Sequence, residues 1–184
     1  MSQTDEPMTR FTAVADLEAF LRGMADKPGE EAGLSELDHG LQCAEVLRTM
    51  APDDVELQLA GLLHDVAGSH CHPAAHGRVG GRAVRGLFGE RVAELVRLHV
   101  DAKRYLVSSD PAYRAKLSPA SIVTLELQGG DMSAAEMAAF AASPFRDDAI
   151  RLREADDLAK VPGKPTPGLE TWIPALERAA APVR

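Results

Sequence analysis

The sequence GLLHDVAG at residues 61–68 places an adjacent histidine and aspartate, His64 and Asp65, inside an otherwise apolar run. Burying a carboxylate or an imidazole without a partner costs free energy, so a fold that buries this run must bring compensating groups to both side chains. A metal ion would provide that compensation, because it neutralises the aspartate and uses the lone pair of the histidine. The pair therefore constrains which distant segments can pack around residues 61–68.

Apolar residues recur with helical spacing along most of the chain. In the first such stretch, Phe11, Val14, Leu17 and Phe20 fall on one stripe, which is typical of an amphipathic helix. No alternation typical of a strand persists beyond a few residues. The sequence therefore predicts an all-α fold, with helices at about residues 11–24, 36–50, 54–67, 77–88, 91–105, 120–127, 133–140, 145–160 and 168–181.

One domain is predicted over residues 1–184, because 184 residues are enough for a sizeable core and 45% of them are hydrophobic. The first residues, MSQTDEPMTR, are too polar for a signal peptide, and no apolar run approaches the roughly 20 residues that span a bilayer. Two cysteines are too few for a disulfide framework. These features predict a cytoplasmic protein without a membrane partner. The net charge of −8 argues against nucleic acid as a partner but allows a local basic pocket for a small anion.

Six histidines and aspartates are candidate metal ligands, and they fall on or beside five predicted helices: His39, His64, Asp65, His76, His99 and Asp156. Neutral imidazoles and carboxylates suit iron, manganese or zinc. Adjacent helical residues point about 100° apart, so Asp65 can bridge two metals while His64 binds one. Each candidate also has a plain structural explanation. A single histidine on an apolar helix is more often a hydrogen-bonded core residue, and the pair Asp156-Asp157 can form part of a solvated face.

The order of these residues resembles the HD-domain superfamily, in which two extra histidines between the His-Asp doublet and the last aspartate are typical of dinuclear members. Three longer segments resemble the HD-domain mixed-valent diiron oxygenases of phosphonate breakdown: AAHGRVGGRAVRGLFGERVAELVRLHVDAKRYL, LSPASIVTLELQGGDMSAAE and LREADDLAK. Myo-inositol oxygenase is a more distant relative of that family. The resemblance covers about residues 34–160. It implies a single HD-domain helical bundle with a dinuclear metal site in its core, followed by a C-terminal loop and helix at 161–184.

The family pattern also implies a ligand assignment and a reaction. One iron would take His39, His64, Asp65 and Asp156, and the other would take His76, His99 and the shared Asp65. The cofactor would be two Fe ions in the Fe(II)/Fe(III) state, with O2 as co-substrate. The implied reaction cleaves the C–P bond of a 1-hydroxyalkylphosphonate, giving phosphate and a carboxylic acid. The substrate would be 2-amino-1-hydroxyethylphosphonate or its trimethylammonio analogue.

Polar stripes on the predicted helices support a small-molecule phosphonate as the partner. Lys103 lies four residues after His99, so the two share a helix face. Two further stripes have the spacing i, i+3, i+7, namely Arg153, Asp156 and Lys160, and Ser121, Thr124 and Gln128. A phosphonate needs such cations and donors.

In the family, Lys103, Ser121 and Arg153 correspond to phosphonate-contacting positions. Gln128 is favoured over Thr124 as a pocket residue, and Asp65 and Lys103 are taken as catalytic. The alternative is that Lys103 and Arg153 are surface charges in i,i+4 pairs.

One feature departs from the family, whose members often carry a tyrosine and a glutamate shortly before the first histidine ligand. The corresponding segment, DKPGEEAGLSELDHG, contains no tyrosine. Glu30 or Glu31 can supply the carboxylate, and Glu31 is the residue assigned to the substrate site. The alternative for both glutamates is a solvated loop charge.

A different reaction and a non-catalytic role are also compatible with parts of the pattern. The main alternative function is a metal-dependent HD phosphohydrolase or phosphodiesterase, which needs no O2 and uses a metal-bound water. Single-metal hydrolases of this type lack the counterparts of His76 and His99, but dinuclear phosphodiesterases keep extra histidines. A degenerate regulatory HD protein is disfavoured because all six ligands are present. The sequence defines no oligomeric state.

Overall fold

The structure, a computed structural model, describes residue 8 and residues 10–180. Within these residues the chain is helical and has no strand, apart from an isolated bridge between Pro28 and Ser35. This confirms the all-α prediction. The α-helices are α1 (Val14–Gly23), α2 (Glu36–Met50), α3 (Val55–Leu63), α4 (His76–Ser109), α5 (Pro111–Arg114), α6 (Pro119–Leu127), α7 (Ala134–Ala141), α8 (Arg146–Leu158) and α9 (Ile173–Ala179). Most of the segment MSQTDEPMTR, and residue 181 at the predicted end of the last helix, lie outside the described residues.

The start of α2 is defined by a side-chain cap. Ser35 accepts a hydrogen bond from the backbone N–H of Asp38 at 3.0 Å, which satisfies one of the N–H groups that a helix leaves unpaired at its start. Because α2 begins at Glu36, His39 lies in its first turn. The cap therefore fixes the position of the first histidine relative to the rest of the bundle.

The prediction of one helix over residues 54–67 was wrong at its C-terminal end. Helix α3 ends at Leu63, and residues 64–67 form turns instead. The reason is local, because His64 Nδ1 donates to the carbonyl oxygen of Gly61 at 2.7 Å. In a continuing helix that oxygen would accept from the N–H of Asp65. The Val66 N–H then bonds to the carbonyl oxygen of Leu63, three residues back, so the chain continues in a tighter turn than an α-helix.

Helix α4 consists of two arms that meet at Gly89, as the sequence predicted. Gly89 has φ +77° and ψ −166°, a conformation that favours glycine. The arms pack closely because glycines line their contact. A Cβ added to Gly77 would lie 2.8 Å from the carbonyl oxygen of Arg97, and one added to Gly81 would lie 2.5 Å from that of Ala93. This close packing brings the start of α4, with His76, beside His99 on the second arm.

The core lies between α2, α3, α4 and α8. Leucines from all four helices are fully buried there, including Leu47, Leu63, Leu95 and Leu152. Their burial supplies the main stabilising term, at about 25 cal/mol for each Å² of apolar surface removed from water. Among the described residues, no helix is both long enough and apolar enough to span a membrane.

Replacing Gly89 with alanine should destabilise the protein, because a Cβ strains this backbone conformation although no atom lies within 4 Å of it. We expect a loss of about 1–3 kcal/mol in the free energy of unfolding. The matched control is Gly23→Ala, which also meets no atom within 4 Å but has helical backbone angles. The control should be stabilising by about 0.4–1 kcal/mol. Thermal unfolding of both variants measures the difference, and equal effects would contradict the assigned strain.

Candidate metal centre

Four histidine side chains converge at the centre of the bundle. They come from the first turn of α2, the end of α3 and the two arms of α4: His39, His64, His76 and His99. At most 6% of each residue is exposed to solvent. The structure therefore brings together side chains that are widely separated in the sequence.

Each ring donates a hydrogen bond from Nδ1 to a main-chain carbonyl oxygen. The acceptors for His39, His64, His76 and His99 are, in that order, Ala159 at 3.1 Å, Gly61 at 2.7 Å, Pro73 at 2.6 Å and Val96 at 2.6 Å. A carbonyl oxygen can only accept, so Nδ1 carries the proton and Nε2 keeps its lone pair in each neutral ring. Metal-binding histidines are commonly oriented in this way.

The four Nε2 atoms face one another in two pairs. The Nε2 atoms of His39 and His64 are 3.1 Å apart, and those of His76 and His99 are 2.8 Å apart. Two lone pairs at this separation repel each other, and a cation shared between them removes the repulsion. Burial lowers the pKa of His99 to about 4, so this ring is neutral at pH 7 and available as a ligand.

Asp65 lies between the two pairs and directs one oxygen at each. Its Oδ2 is 3.7 Å from Nε2 of His39 and 3.4 Å from Nε2 of His64. Its Oδ1 is 3.1 Å from Nε2 of His76 and 3.3 Å from Nε2 of His99. Burial opposes ionisation, but positive charge on the neighbouring histidines outweighs it and holds the pKa of Asp65 well below its usual range. A metal ion between neutral rings would supply the same positive charge. An ionised carboxylate in this position has the geometry of a bridging ligand.

Asp156 on α8 completes the first cluster. Its Oδ1 is 3.1 Å from Nε2 of His39 and is buried without a hydrogen-bond partner in the described structure. Its Oδ2 accepts a hydrogen bond from Arg153 at 2.6 Å. Leaving a buried carboxylate oxygen unsatisfied costs free energy. A cation beside His39 would remove that cost.

These distances fit two metal ions. The ligand atoms of His39, His64 and Asp65 lie within 4.8 Å of one another, and so do those of Asp65, His76 and His99. Together with Asp156, the six candidates from the sequence meet at one place, with Asp65 common to both clusters. Imidazole and carboxylate donors suit iron, manganese and zinc.

Lys103 is a buried cation close to this centre. Only 2% of the residue is exposed, and its Nζ donates to Thr124 Oγ1 at 2.8 Å. No carboxylate of the described residues lies within 4.0 Å of Nζ. Burial, reinforced by the charge of Arg153, lowers the pKa of Lys103 to about 8. Lys103 is therefore not the surface charge of the alternative interpretation, and an anion beside it would offset its burial.

Arg153 is also buried, with 2% exposed, and it holds three side chains. Its Nε donates to the Tyr113 hydroxyl at 3.0 Å, Nη1 donates to Asp156 Oδ2, and Nη2 donates to Asp157. The Tyr113 hydroxyl in turn donates to Asp157. A guanidinium has five N–H groups, so two remain for another ligand. Arg153 thus orients the candidate ligand Asp156. It forms the i,i+4 pair of the alternative interpretation with Asp157, but it is buried and not a surface charge.

Lys160, Ser121 and Glu30 form a third polar group beside the centre. Lys160 Nζ donates to Ser121 Oγ at 2.7 Å and to Glu30 Oε2 at 3.1 Å, and it lies 3.6 Å from Asp156 Oδ1. Burial by itself disfavours the charged carboxylate, but the positive charges of Lys160 and Lys103 together hold the pKa of Glu30 below its usual value. Ser121 is fully buried. This group combines a cation and a hydroxyl, and it joins members of the two polar stripes noted in the sequence.

A cavity of about 220 Å³ opens beside the two clusters. It is lined by His39, Asp65 and His76, by Thr124 of α6 and Gln128 just after it, by Glu36 at the start of α2, and by loop residues that include Glu30. Gln128 Oε1 is buried and makes no hydrogen bond within the described residues.

Several residues assigned to the substrate do not line this cavity. The cavity lining does not include Lys103, Ser121 or Arg153. Lys103 is nevertheless hydrogen-bonded to Thr124, which does line the cavity. Glu31 has a buried Oε1 with no hydrogen bond among the described residues, and it does not line the cavity either. Its assignment to the substrate stays a prediction, while Glu30 is the glutamate at the cavity.

The HD-domain family model matches residues 37–159. Hydroxymethylphosphonate dioxygenase from Gimesia maris is 37% identical over 158 residues, which are 80% of this chain and 78% of the relative. The [1-hydroxy-2-(trimethylamino)ethyl]phosphonate dioxygenase (glycine-betaine-forming) from Leisingera caerulea is 31% identical over 173 residues, 86% of this chain and 88% of the relative. The chain belongs to the HD-domain phosphonate oxygenase family.

Some members of the polar network in this HD-domain protein were missed by sequence reasoning. Lys160 was named in a polar stripe but was given no role of its own, yet it contacts three side chains of the site. Tyr113 was not among the candidate residues, yet its hydroxyl bonds to Arg153 and Asp157. The i, i+7 spacing from Arg153 to Lys160 was a usable signal for Lys160. The sequence held no such signal for Tyr113, because its contact with Arg153 depends on how the segment before α6 packs against α8.

Replacing Asp65 with alanine should remove both metal ions, because one of its oxygens faces each cluster. His99→Ala should remove mainly one. The exposed His72 provides a control, and His72→Ala should leave the metal content unchanged. Metal analysis of the purified variants measures the stoichiometry, and unchanged content in both site variants would refute the ligand assignment. Removing the metal with a chelator should also lower the melting temperature, because ligands that bind only the folded state stabilise it.

Proposed function

We propose that this protein is a cytoplasmic diiron oxygenase that uses O2 to cleave the C–P bond of a 1-hydroxyalkylphosphonate, releasing phosphate and a carboxylic acid. The observation that carries the proposal is a donor set for two metal ions next to Lys103, a buried ammonium without an ion-pair partner within 4.0 Å among the described residues. The combination suits a substrate that is both a chelator and an anion. Two relatives that align over most of their length are phosphonate dioxygenases by name.

The proposed cofactor is a pair of iron ions. His39, His64, Asp65 and Asp156 would hold one, and His76, His99 and Asp65 would hold the other. When bound, the irons supply the redox chemistry with O2 and a Lewis-acidic site for the substrate oxygens. The protein contributes fixed ligands and a buried environment, in which charge interactions are stronger than in water.

The proposed phosphonate-binding groups are Lys103, Arg153, Ser121 and Gln128. The two cations would offset the negative charge of the phosphonate, and the serine hydroxyl and the glutamine amide would donate to its oxygens. Arg153 already holds Asp156, so it would couple the position of a metal ligand to that of the substrate. Lys160 adds a third cation, bonded to Ser121.

The substituent on the substrate's C1 would lie in the outer part of the cavity. The cavity lining contains no phenylalanine, tyrosine or tryptophan among the described residues. Quaternary ammonium groups are usually recognised by such rings. Two carboxylates, Glu30 and Glu36, do line the cavity and suit a primary ammonium. We therefore favour 2-amino-1-hydroxyethylphosphonate or the shorter hydroxymethylphosphonate over the trimethylammonio substrate.

The direct test incubates the iron-loaded protein with each of these three phosphonates and measures O2 consumption and phosphate release. We expect phosphate release that depends on O2. The control is the same incubation under nitrogen, with a phosphate monoester included as a hydrolase substrate. Metal analysis and EPR of the protein should show two irons and a mixed-valent signal. Phosphate release from the ester under nitrogen, with zinc or a single metal bound, would identify a phosphohydrolase instead.

Replacing Lys103 with methionine should weaken phosphonate binding by about 10- to 100-fold, because a charge-assisted contact contributes about 1.5–3 kcal/mol. Methionine fills the buried space, and the metal content should stay the same. Lys116→Met is the matched control at an exposed lysine and should bind the phosphonate like the wild type. Calorimetric titration of the iron-loaded protein under nitrogen measures the affinity. Wild-type affinity in Lys103→Met would remove this residue from the substrate site.

A further inference from the structure

Gln42 makes a two-point contact with a distant part of the backbone. It lies on α2 and is 1% exposed. Its Nε2 donates to the carbonyl oxygen of Val161 at 2.9 Å, and its Oε1 accepts from the N–H of the same residue at 3.2 Å. Both bonds join positions that are 119 residues apart in the sequence. The side-chain amide of Gln42 thus bonds to both the N–H and the carbonyl oxygen of Val161, and this pair of hydrogen bonds is called the Gln42 clamp.

The clamped segment carries two groups of the candidate site. The carbonyl oxygen of Ala159 accepts from His39 Nδ1, and the Lys160 ammonium binds Ser121 and Glu30. Helix α8 ends at Leu158, so residues 159–161 lie beyond its regular hydrogen bonding. The segment is held to α2 at Ala159 by His39 and at Val161 by Gln42, with Lys160 between these two points. Because His39 and Gln42 are three residues apart on one helix, they lie on the same face of a rigid element.

We infer that Gln42 is a positioning residue for the anion site, which acts by fixing the backbone from which Lys160 reaches Ser121. This inference rests on the proposed function, because it assigns the Lys160 ammonium to the substrate's phosphonate. A lysine ammonium sits at the end of a flexible four-carbon stem, so its position depends on how well the backbone of the lysine is fixed. Removing the clamp leaves the Val161 N–H without its side-chain acceptor and lets the segment after α8 shift. Lys160 then samples more positions, and its contribution to anion binding falls.

The protein contains a matched control for this inference. Gln58 is another buried glutamine that bonds to backbone, donating from Nε2 to the carbonyl oxygens of Ala51 at 2.8 Å and Pro52 at 3.1 Å. These contacts lie at the turn between α2 and α3, and neither acceptor belongs to the candidate site. Gln42→Met and Gln58→Met each remove a buried amide of equal size. They should have similar costs in stability, but only the first should change anion binding.

The experiment titrates inorganic phosphate and hydroxymethylphosphonate into the iron-loaded protein under nitrogen, which prevents turnover. We expect the Kd of both anions to rise about tenfold in Gln42→Met, whereas Gln58→Met should match the wild type. A double-mutant cycle with Lys160→Met tests whether Gln42 affects anion binding through Lys160, because the effects of substitutions at residues that act as a unit are not additive. In the Lys160→Met background, Gln42→Met should have little further effect. Gln42→Asn, whose amide is one carbon too short to reach Val161, supplies the same comparison if the methionine variant does not fold.

Two results would overturn the inference. One is an equal change of Kd in the Gln42 and Gln58 variants, which would assign Gln42 to general stability. The other is a Gln42 effect that persists in full when Lys160 is absent. Failure of the proposed function is a separate result, because it would be seen as a wild-type protein that binds the anions but does not release phosphate from any hydroxyphosphonate with O2.

Discussion

The rest of the site depends on four hydrogen bonds from imidazole Nδ1 atoms to main-chain carbonyl oxygens. Each bond fixes which nitrogen carries the proton, and the four together direct every free lone pair towards the centre of the bundle. Three of the acceptors belong to the histidine's own turn or the residues just before it, so the ring is oriented by local backbone. The fourth, Ala159, comes from beyond α8 and ties His39 to a remote segment. Without a cation, this arrangement keeps four imidazole rings and two carboxylates close together in a buried space.

The hydrogen bond from His64 Nδ1 to the carbonyl oxygen of Gly61 also bears on why His64 and Asp65 lie in a turn. It takes the acceptor that would have continued α3, so the same hydrogen bond ends the helix and orients the ligand. Asp65 is then free to point between the two histidine pairs.

The sequence predicted the all-α fold and the break at Gly89 from residue type and local spacing, whereas the convergence of six ligands was implied by the resemblance to the HD-domain superfamily. The helix end at Leu63 was missed, because apolar periodicity continues through Val66 while the deciding bond comes from a side chain. Spacing on α8 placed Arg153 near Asp156, but it could not indicate Tyr113, which is brought to Arg153 by tertiary packing. Likewise, Glu30 and Glu31 are equivalent in the sequence, and only the course of the loop brings Glu30 to the cavity. Contacts within a helix were predictable, and contacts between loops and helices were not.

The glycine-lined contact between the two arms of α4 has a consequence for the order in which the chain can assemble its centre. His76 and His99 are 23 residues apart, on one hairpin of helices, whereas His39 and its acceptor Ala159 are 120 residues apart. By the logarithmic dependence of loop closure on length, the longer closure costs about 1.5 kcal/mol more chain entropy. One half of the centre is therefore a local structure that a short stretch of chain can form early. The other half exists only once the two ends of the domain have met.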